Sequence, residues 1–185
     1  AIFGNGLFQL DLYTHEVIRI CKFIKEDSCY AIHRKAFLYK NEAWFIPQNG
    51  KYIAVVNLVS FEISYLNPPF TKINKYAVSQ TNAMYYSGEI IENKFLFLVP
   101  VNIDALLLID LEKKELYPYY NVQEDDEYFL YGIYKEGYVY LFPFNKNRVI
   151  EINLRTNERK KYIWKGNRKR SCRTIRKRDK WSYKR

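Results

Sequence analysis

The chain has 185 residues, of which 48% are apolar and 18% aromatic, so most of it can bury a core rather than stay disordered. No apolar run reaches the ~20 residues that a membrane-spanning helix needs. The net charge of +10 is local, because residues 165–185 hold eleven Lys or Arg and one Asp, and the remainder holds 19 basic and 19 acidic side chains. We therefore expect no general attraction of residues 1–164 to nucleic acid.

Apolar runs separated by Gly, Pro and Asn turns predict an all-β chain, with no sustained helical period. The predicted strands lie, in chain order, at 7–10, 16–23, 31–39, 43–46, 52–56, 62–66, 83–87, 94–99, 105–109, 115–120, 128–134, 138–142, 148–152 and 158–164. The first two strands make half of a four-stranded unit, and the other twelve make three full units.

One sequence phrase, Asp or Asn followed by Leu, three residues and Glu, marks each of these units. It begins at four positions spaced 46, 53 and 43 residues apart: Asp11, Asn57, Asp110 and Asn153. A Pro lies ten residues before each of the last three copies, and an Asn follows two residues after each Pro, at Pro47, Pro100 and Pro143 and at Asn49, Asn102 and Asn145. This period predicts β-propeller-type repeats of four-stranded antiparallel sheets, about three and a half blades, with a basic C-terminal tail.

The residues of the phrase fit structural roles. Asp or Asn at the end of a third strand can accept hydrogen bonds from backbone N–H groups two residues on. The Leu is predicted to anchor the corner between blades, and the Glu opens an outer strand, where charge discourages pairing with another edge.

Segment 139–161 carries a family resemblance: a paired aromatic and aliphatic strand, an Asn-bearing turn, an alternating strand and the ending Asn153-Leu154-Arg155-Thr156. It resembles a YVTN-type repeat, and residues 1–164 resemble kelch-like and YVTN-like β-propeller repeats in general. The double Gly of kelch repeats is absent, as are the Gly-His and Trp-Asp of WD-type repeats. The resemblance implies an architecture and no particular functional residue.

The repeat pattern predicts a half blade at 1–27, blades at 28–67, 80–121 and 127–164, and a disordered or non-native basic tail at 165–185. Because the pattern starts within a unit and stops after 164, we expect an incomplete piece of a larger propeller or an open arc. A closed four-bladed ring completed by part of 165–185 is the alternative. Exposed blade faces in an arc predict self-association.

Two groups of residues are candidates for binding. The loops after the second strands share one face with the linkers 67–82 and 121–127, so Asn49, Asn102 and Asn145 are candidate contacts to a carbohydrate or protein ligand, unless they serve turn geometry alone. In the tail, the side chains of Arg168, Lys169, Arg170, Arg176, Lys177 and Arg178 are candidate contacts to nucleic acid or another anionic surface, unless the tail is a solvated extension.

Residues that commonly hold metals or perform catalysis are sparse and badly spaced. His15 and His33 form no HxH or HExxH motif, and the acids at 124–127 lack the spacing of a calcium loop. We predict no catalytic residue, no metal and no cofactor. Three cysteines without CxxC spacing favour free thiols and slightly favour the cytoplasm, although a Cys21–Cys29 bridge stays open for a secreted protein.

The sequence thus predicts a non-catalytic binding or interaction scaffold. One alternative is a fragment of a propeller-type carbohydrate-active enzyme, which requires clustered acids with at least one raised carboxyl pKa. The other is a binder of nucleic acid or anionic surfaces through the tail.

Overall fold

The computed structural model describes residues 6–25, 32–48, 50–69, 84–122 and 128–163. Within these ranges the chain is all-β, and it contains no helix of the kind that could cross a membrane. The strands are β1 Gly6–Leu10, β2 Val17–Lys22, β3 His33–Tyr39, β4 Glu42–Pro47, β5 Ile53–Asn57, β6 Ile63–Leu66, β7 Tyr85–Ile91, β8 Phe95–Pro100, β9 Ala105–Asp110, β10 Glu115–Tyr120, β11 Phe129–Lys135, β12 Tyr138–Pro143, β13 Arg148–Asn153 and β14 Arg159–Ile163.

Within each sheet, every strand pairs antiparallel with the strands that precede and follow it in sequence. The result is a two-stranded sheet, β1-β2, followed by three four-stranded sheets, β3–β6, β7–β10 and β11–β14, called here the first, second and third sheets. The initial strands of these sheets approach one another, since β7 contacts both β3 and β11 and the Ser87 hydroxyl donates to the Leu130 carbonyl at 2.9 Å. This confirms the all-β class and the propeller-type blades. The exact blade limits stay a proposal, and 165–185 lies outside the described residues.

All four copies of the repeated phrase form the same turn. In each, Oδ1 of the Asp or Asn accepts backbone N–H groups two and three residues later, at 2.8–3.1 Å. The residue four positions later adopts φ of 58–59° and donates its N–H to the carbonyl of the Asp or Asn: His15, Phe61, Lys114 and Asn157. The predicted turn role of the phrase is therefore correct.

The predicted anchoring role of the Leu holds only in part. Leu111 is buried between the first and second sheets, and Leu154 packs between the second and third. Leu12, in the first copy, is 76% exposed and anchors nothing among the described residues.

The second sheet lies in the middle and is buried on both faces. Because side chains alternate along a strand, one set packs on the first sheet and the other on the third. Leu96, Leu98, Leu107 and Ile109 face Trp44, Ile46, Ile53 and Val55 of the first sheet. Phe97, Val99, Leu106 and Leu108 face Val139, Leu141, Ile150 and Ile152 of the third. The core thus consists of two apolar layers between three sheets.

The two-stranded sheet β1-β2 packs on the other face of the first sheet. Leu7 and Cys21 contact a small cluster around Phe23, Ala54 and Val56. Cys21 is a free thiol, and burial raises its pKa. This sheet therefore continues the layered packing.

One predicted strand had the wrong limits. The pattern predicts a strand at 83–87, whereas β7 begins at Tyr85 and continues through Gly88 to Ile91. A Cβ atom at Gly88 would come within 2.4 Å of the Phe97 carbonyl oxygen. Glycine is therefore required here by the close approach of two backbones rather than by a turn.

Candidate functional site

The asparagines predicted as ligand contacts lie in different environments. Asn102, between β8 and β9, is only 4% exposed. Asn145, between β12 and β13, is exposed, and its Oδ1 accepts the N–H of Tyr128 at 3.4 Å. Asn49 and the six tail residues Arg168, Lys169, Arg170, Arg176, Lys177 and Arg178 lie outside the described residues. Ligand binding by any of them stays a prediction.

A cleft of about 550 Å³ lies at the opposite end of the strands, between the second and third sheets. It is formed where the β7–β8, β11–β12 and β13–β14 turns meet. Its lining consists of Ile91, Glu92, Phe95, Leu108, Tyr134, Glu136, Gly137, Tyr138, Asn153, Leu154 and Arg155. The cleft thus has an apolar floor and a rim with two carboxylates and one guanidinium group.

The equivalent place between the first and second sheets is crossed by two ion pairs. The Lys40 ammonium lies 2.7 Å from the Glu112 carboxylate, which also accepts the Tyr39 hydroxyl at 3.2 Å. A second ion pair joins Lys114 and Glu42 at 2.7 Å. These bonds connect the turns of the two sheets. A hollow of about 490 Å³ remains beside the Lys114–Glu42 pair, and it is lined by both of these residues and by Val55, Asn57, Glu62, Ile63 and Ser64 of the first sheet.

The repeat register explains why these ion pairs have no equivalent at the cleft between the second and third sheets. Glu42 and Phe95 both stand five residues before the Pro of their unit, and Glu112 and Arg155 both stand two residues after the Asp or Asn. Phe95 in place of Glu42 removes the carboxylate of the Lys114–Glu42 pair, and Arg155 in place of Glu112 removes that of the Lys40–Glu112 pair. Within the described part of the chain, the Arg155 guanidinium is exposed and has no ion pair. The cleft between the second and third sheets therefore lacks the equivalent bridges.

One pair of polar groups at the rim of the cleft is held together by a hydrogen bond. The Tyr134 hydroxyl, on the third sheet, donates to the Glu92 carboxylate on the second, and this hydrogen bond raises the pKa of Tyr134. Glu136 and Gly137 form the β11–β12 turn with φ of 50° and 86°. Carboxylates accept hydrogen bonds from hydroxyl groups, a guanidinium donates them, and aromatic rings offer apolar faces. Such a set suits a small, hydroxyl-rich ligand.

The displaced carboxyl pKa values among the described residues are all lowered. Backbone N–H groups of Thr14 and Tyr13 lower the pKa of Asp11, and the Lys40 ammonium lowers that of Glu112. Burial of Asp110 opposes ionisation, but two backbone N–H groups and Lys94 outweigh it, so its pKa is also lowered. The lowered pKa values of Asp11 and Asp110 follow from their turns, and that of Glu112 follows from its ion pair between two sheets.

The histidines show no feature of a metal or catalytic site in the described part of the chain. No group of three or more His, Cys, Asp or Glu side chains there could hold a metal ion. The His33 ring packs 4.5 Å from that of Phe23 and 5.7 Å from that of Phe45, and burial lowers the pKa of His33 to about 4. His33 is therefore part of the packing between β1-β2 and the first sheet.

Sequence reasoning missed the cleft, although a signal for it was present. The predicted contacts were Asn residues that repeat from unit to unit, whereas the cleft lies where equivalent positions of the units differ. Comparison of equivalent positions, Glu42 with Phe95 and Glu112 with Arg155, would have indicated the loss of two bridges.

No protein-family model matches this sequence, and no curated protein matches it in sequence. Solved structures are similar in fold. One is the extracellular domain of the one component system BT4673 from B. thetaiotaomicron, with a TM-score of 0.61 and 11% identity over 86% of this chain and 21% of that chain. Another is Citrobacter koseri AztD, with a TM-score of 0.54 and 12% identity over 90% of this chain and 43% of that one.

A third similar structure is dihydro-heme d1 dehydrogenase NirN in complex with DHE, with a TM-score of 0.51 and 11% identity over 88% of this chain and 33% of that chain. The chain spans less than half of the length of each of these three proteins. At such low identity the similarity concerns the fold alone. The sheets of this chain are those of an all-β protein with propeller-type repeats.

Proposed function

We propose that this chain is a non-catalytic binding scaffold and that the cleft between the second and third sheets holds a carbohydrate. The observation that carries the proposal is a cleft that no ion pair of the described residues crosses: the same place between the first and second sheets is crossed by the Lys40–Glu112 and Lys114–Glu42 pairs. A volume of about 550 Å³ is suited to a small ligand of one or a few rings.

The lining supports a carbohydrate over an apolar ligand. The rings of Phe95 and Tyr134 belong to the border of the apolar core and offer faces on which a sugar ring can pack. Glu92 and Glu136 supply acceptors for hydroxyl groups, and Arg155 supplies donors. The scaffold beneath them is held by two fully packed apolar layers, so a ligand meets a preformed surface.

Two other functions have less support. A carbohydrate-active enzyme needs a general acid whose carboxyl pKa is raised, whereas Asp11, Asp110 and Glu112 have lowered values. Binding of nucleic acid or anionic surfaces through Arg168–Arg170 and Arg176–Arg178 rests on charge alone. That function predicts binding that falls steeply with salt and disappears when the six cations are replaced by Gln.

The test is binding of the full chain to an array of oligosaccharides, followed by calorimetric titration with the best of them. We expect Arg155→Ala to weaken the affinity about tenfold, since it removes charge-assisted donors without breaking an ion pair. The matched control is Lys113→Ala, an exposed cation on the equivalent turn of the second sheet that does not line the cleft.

A second variant places an ion pair across the cleft, whereas Arg155→Ala removes a donor from its rim. Glu92→Lys combined with Arg155→Glu copies the Lys40–Glu112 pairing, and we expect it to abolish binding while the protein remains folded. The carbohydrate proposal fails if no oligosaccharide binds at millimolar concentration. It also fails if Arg155→Ala and Lys113→Ala have the same effect.

A further inference from the structure

Three boundaries separate the four described sheets, and the boundary between β1-β2 and the first sheet is the smallest. The apolar layers on either side of the second sheet each contain eleven buried residues. The cluster between β1-β2 and the first sheet contains three, which are Phe23, Ala54 and Val56. A two-stranded sheet is at best marginally stable alone in water, so β1-β2 depends on this small contact.

His33 lies in this boundary as one of three aromatic rings that join the two sheets. Its ring centroid is 4.5 Å from that of Phe23, which directly follows β2, and 5.7 Å from that of Phe45 on β4. The rings of Phe23 and Phe45 are themselves 5.3 Å apart. The Nε2 atom of His33 is buried and has no hydrogen-bond partner among the described residues.

The repeat register shows that histidine replaces a ring that cannot be protonated. His33, Tyr85 and Phe129 each pair with the Pro that ends the second strand of their own sheet. Tyr85 and Phe129 are 2% and 0% exposed and belong to the apolar layers against the preceding sheets. Of these three equivalent rings, only the imidazole of His33 can take up a proton as the pH falls.

The described surroundings offer no negative charge to a protonated His33. The titratable side chains that pack on the cluster are those of Cys21 and Tyr65, and the Lys25 ammonium lies 5.3 Å from the centre of the Tyr65 ring. None of these groups is a carboxylate. A charged imidazole there would lose water without gaining a partner, and burial accordingly lowers the pKa of His33 to about 4.

We propose that protonation of His33 detaches β1-β2 from the first sheet while the three four-stranded sheets stay packed together. A charged ring requires water at Nε2, and water gains access to that atom when Phe23 moves away from it. The chain has one other histidine, His15, and it lies at an exposed turn, so acid does not act on the two larger layers in this way. Detachment uncovers Ala54 and Val56 on the first sheet.

The test is amide hydrogen exchange of the full chain, measured by mass spectrometry and corrected for the intrinsic dependence of exchange on pH. The neutral ring stabilises the contact fully above pH 6.5, and this stabilisation is lost as the pH falls toward 4. Between about pH 7.5 and about pH 5 the contact should weaken about thirtyfold. We therefore expect the protection of β1 and β2 to fall by about that factor while the protection of β8 and β9 stays unchanged.

Two variants taken from the repeat register test the role of His33. His33→Phe copies Phe129 and should keep the protection of β1 and β2 the same at both pH values. His33→Tyr copies Tyr85 and replaces it if circular dichroism shows that the first variant is unfolded. His15→Asn is the control and should behave like the wild-type chain.

Three results would overturn the proposal. The first is a wild-type chain whose β1 and β2 are equally protected at both pH values. The second is an equal loss of protection in the wild-type chain and in the folded His33 variant. The third is an equal loss in β8 and β9, which would mean that the whole protein unfolds and that β1-β2 does not detach by itself.

Discussion

At the scale of single residues, the Asp or Asn of the repeated phrase shows how short-range chemistry makes a turn. Its side chain satisfies two backbone N–H groups, and the residue four positions later takes a left-handed conformation near 58–59°. Asp110 and Asn153 form the same hydrogen bonds, so the amide serves as well as the carboxylate. The sequence predicts these turns because every partner lies within four residues.

A pH effect also belongs to this scale. The ordinary pKa of histidine, 6.5, is lowered to about 4 at His33 by burial, so the unfolded chain binds this proton first as the pH falls. Stability due to the neutral ring is therefore complete above pH 6.5 and is lost between pH 6.5 and 4, by no more than about 3 kcal/mol. Urea unfolding at several pH values should show this loss.

The variant His33→Phe isolates the effect. It keeps an aromatic ring against Phe23 and Phe45 but cannot be protonated, so its stability should fall less over the same pH range. His15→Asn, at an exposed turn, should behave like the wild-type chain. If His33→Phe loses as much stability as the wild-type chain, carboxylates rather than His33 cause the decline.

At the scale of elements, the initial strands of the sheets carry a small residue at one register position. Ala36, Gly88 and Gly132 pair with Phe45, Leu98 and Leu141, respectively. A Cβ at Gly132 would come within 2.9 Å of Val99 Cγ2 and 3.2 Å of Phe97 Cε2, both on the preceding sheet. Small residues here allow the initial strands to approach one another.

We expect Gly132→Ala to destabilise the protein by about 1–3 kcal/mol, because the added methyl group overfills a packed contact between two sheets. Gly137→Asn is the control: its Cβ meets open space, so any loss of stability there comes from backbone strain at the positive φ of 86° and not from packing. Thermal or urea unfolding of both variants measures the difference. Equal losses would mean that backbone freedom, rather than packing, determines the effect.

Strand limits illustrate what local sequence cannot specify. The pattern predicts β12 at 138–142 almost as observed, because Pro143 and the Gly137 turn delimit it. It fails for β7, where the predicted strand ends before Gly88, the residue at which the backbones of β7 and β8 come close together. The reason for that glycine lies about ten residues away, on β8.

At the scale of the whole molecule, apolar layers rather than ion pairs hold the sheets together. Leu98 is fully buried between the first and second sheets, and the Lys40–Glu112 pair lies on the surface of the same boundary. Leu98→Ala should cost about 2–5 kcal/mol. Glu112→Gln should leave the unfolding midpoint nearly unchanged, since exposed pairs are screened by water and salt. Urea unfolding compares the two, and a larger effect of Glu112→Gln would contradict this assignment.

The sequence by itself determined the all-β class, the fourteen strands of the described residues and the turn at each copy of the phrase, since these depend on alternation and on hydrogen bonds within four residues. Only the tertiary structure decided where the sheets are bridged and where a cleft remains. Lys40 and Glu112 are 72 residues apart, and no local pattern states that they meet. The candidate cleft arises from such distant contacts, because it depends on which residues stand at equivalent positions of neighbouring sheets.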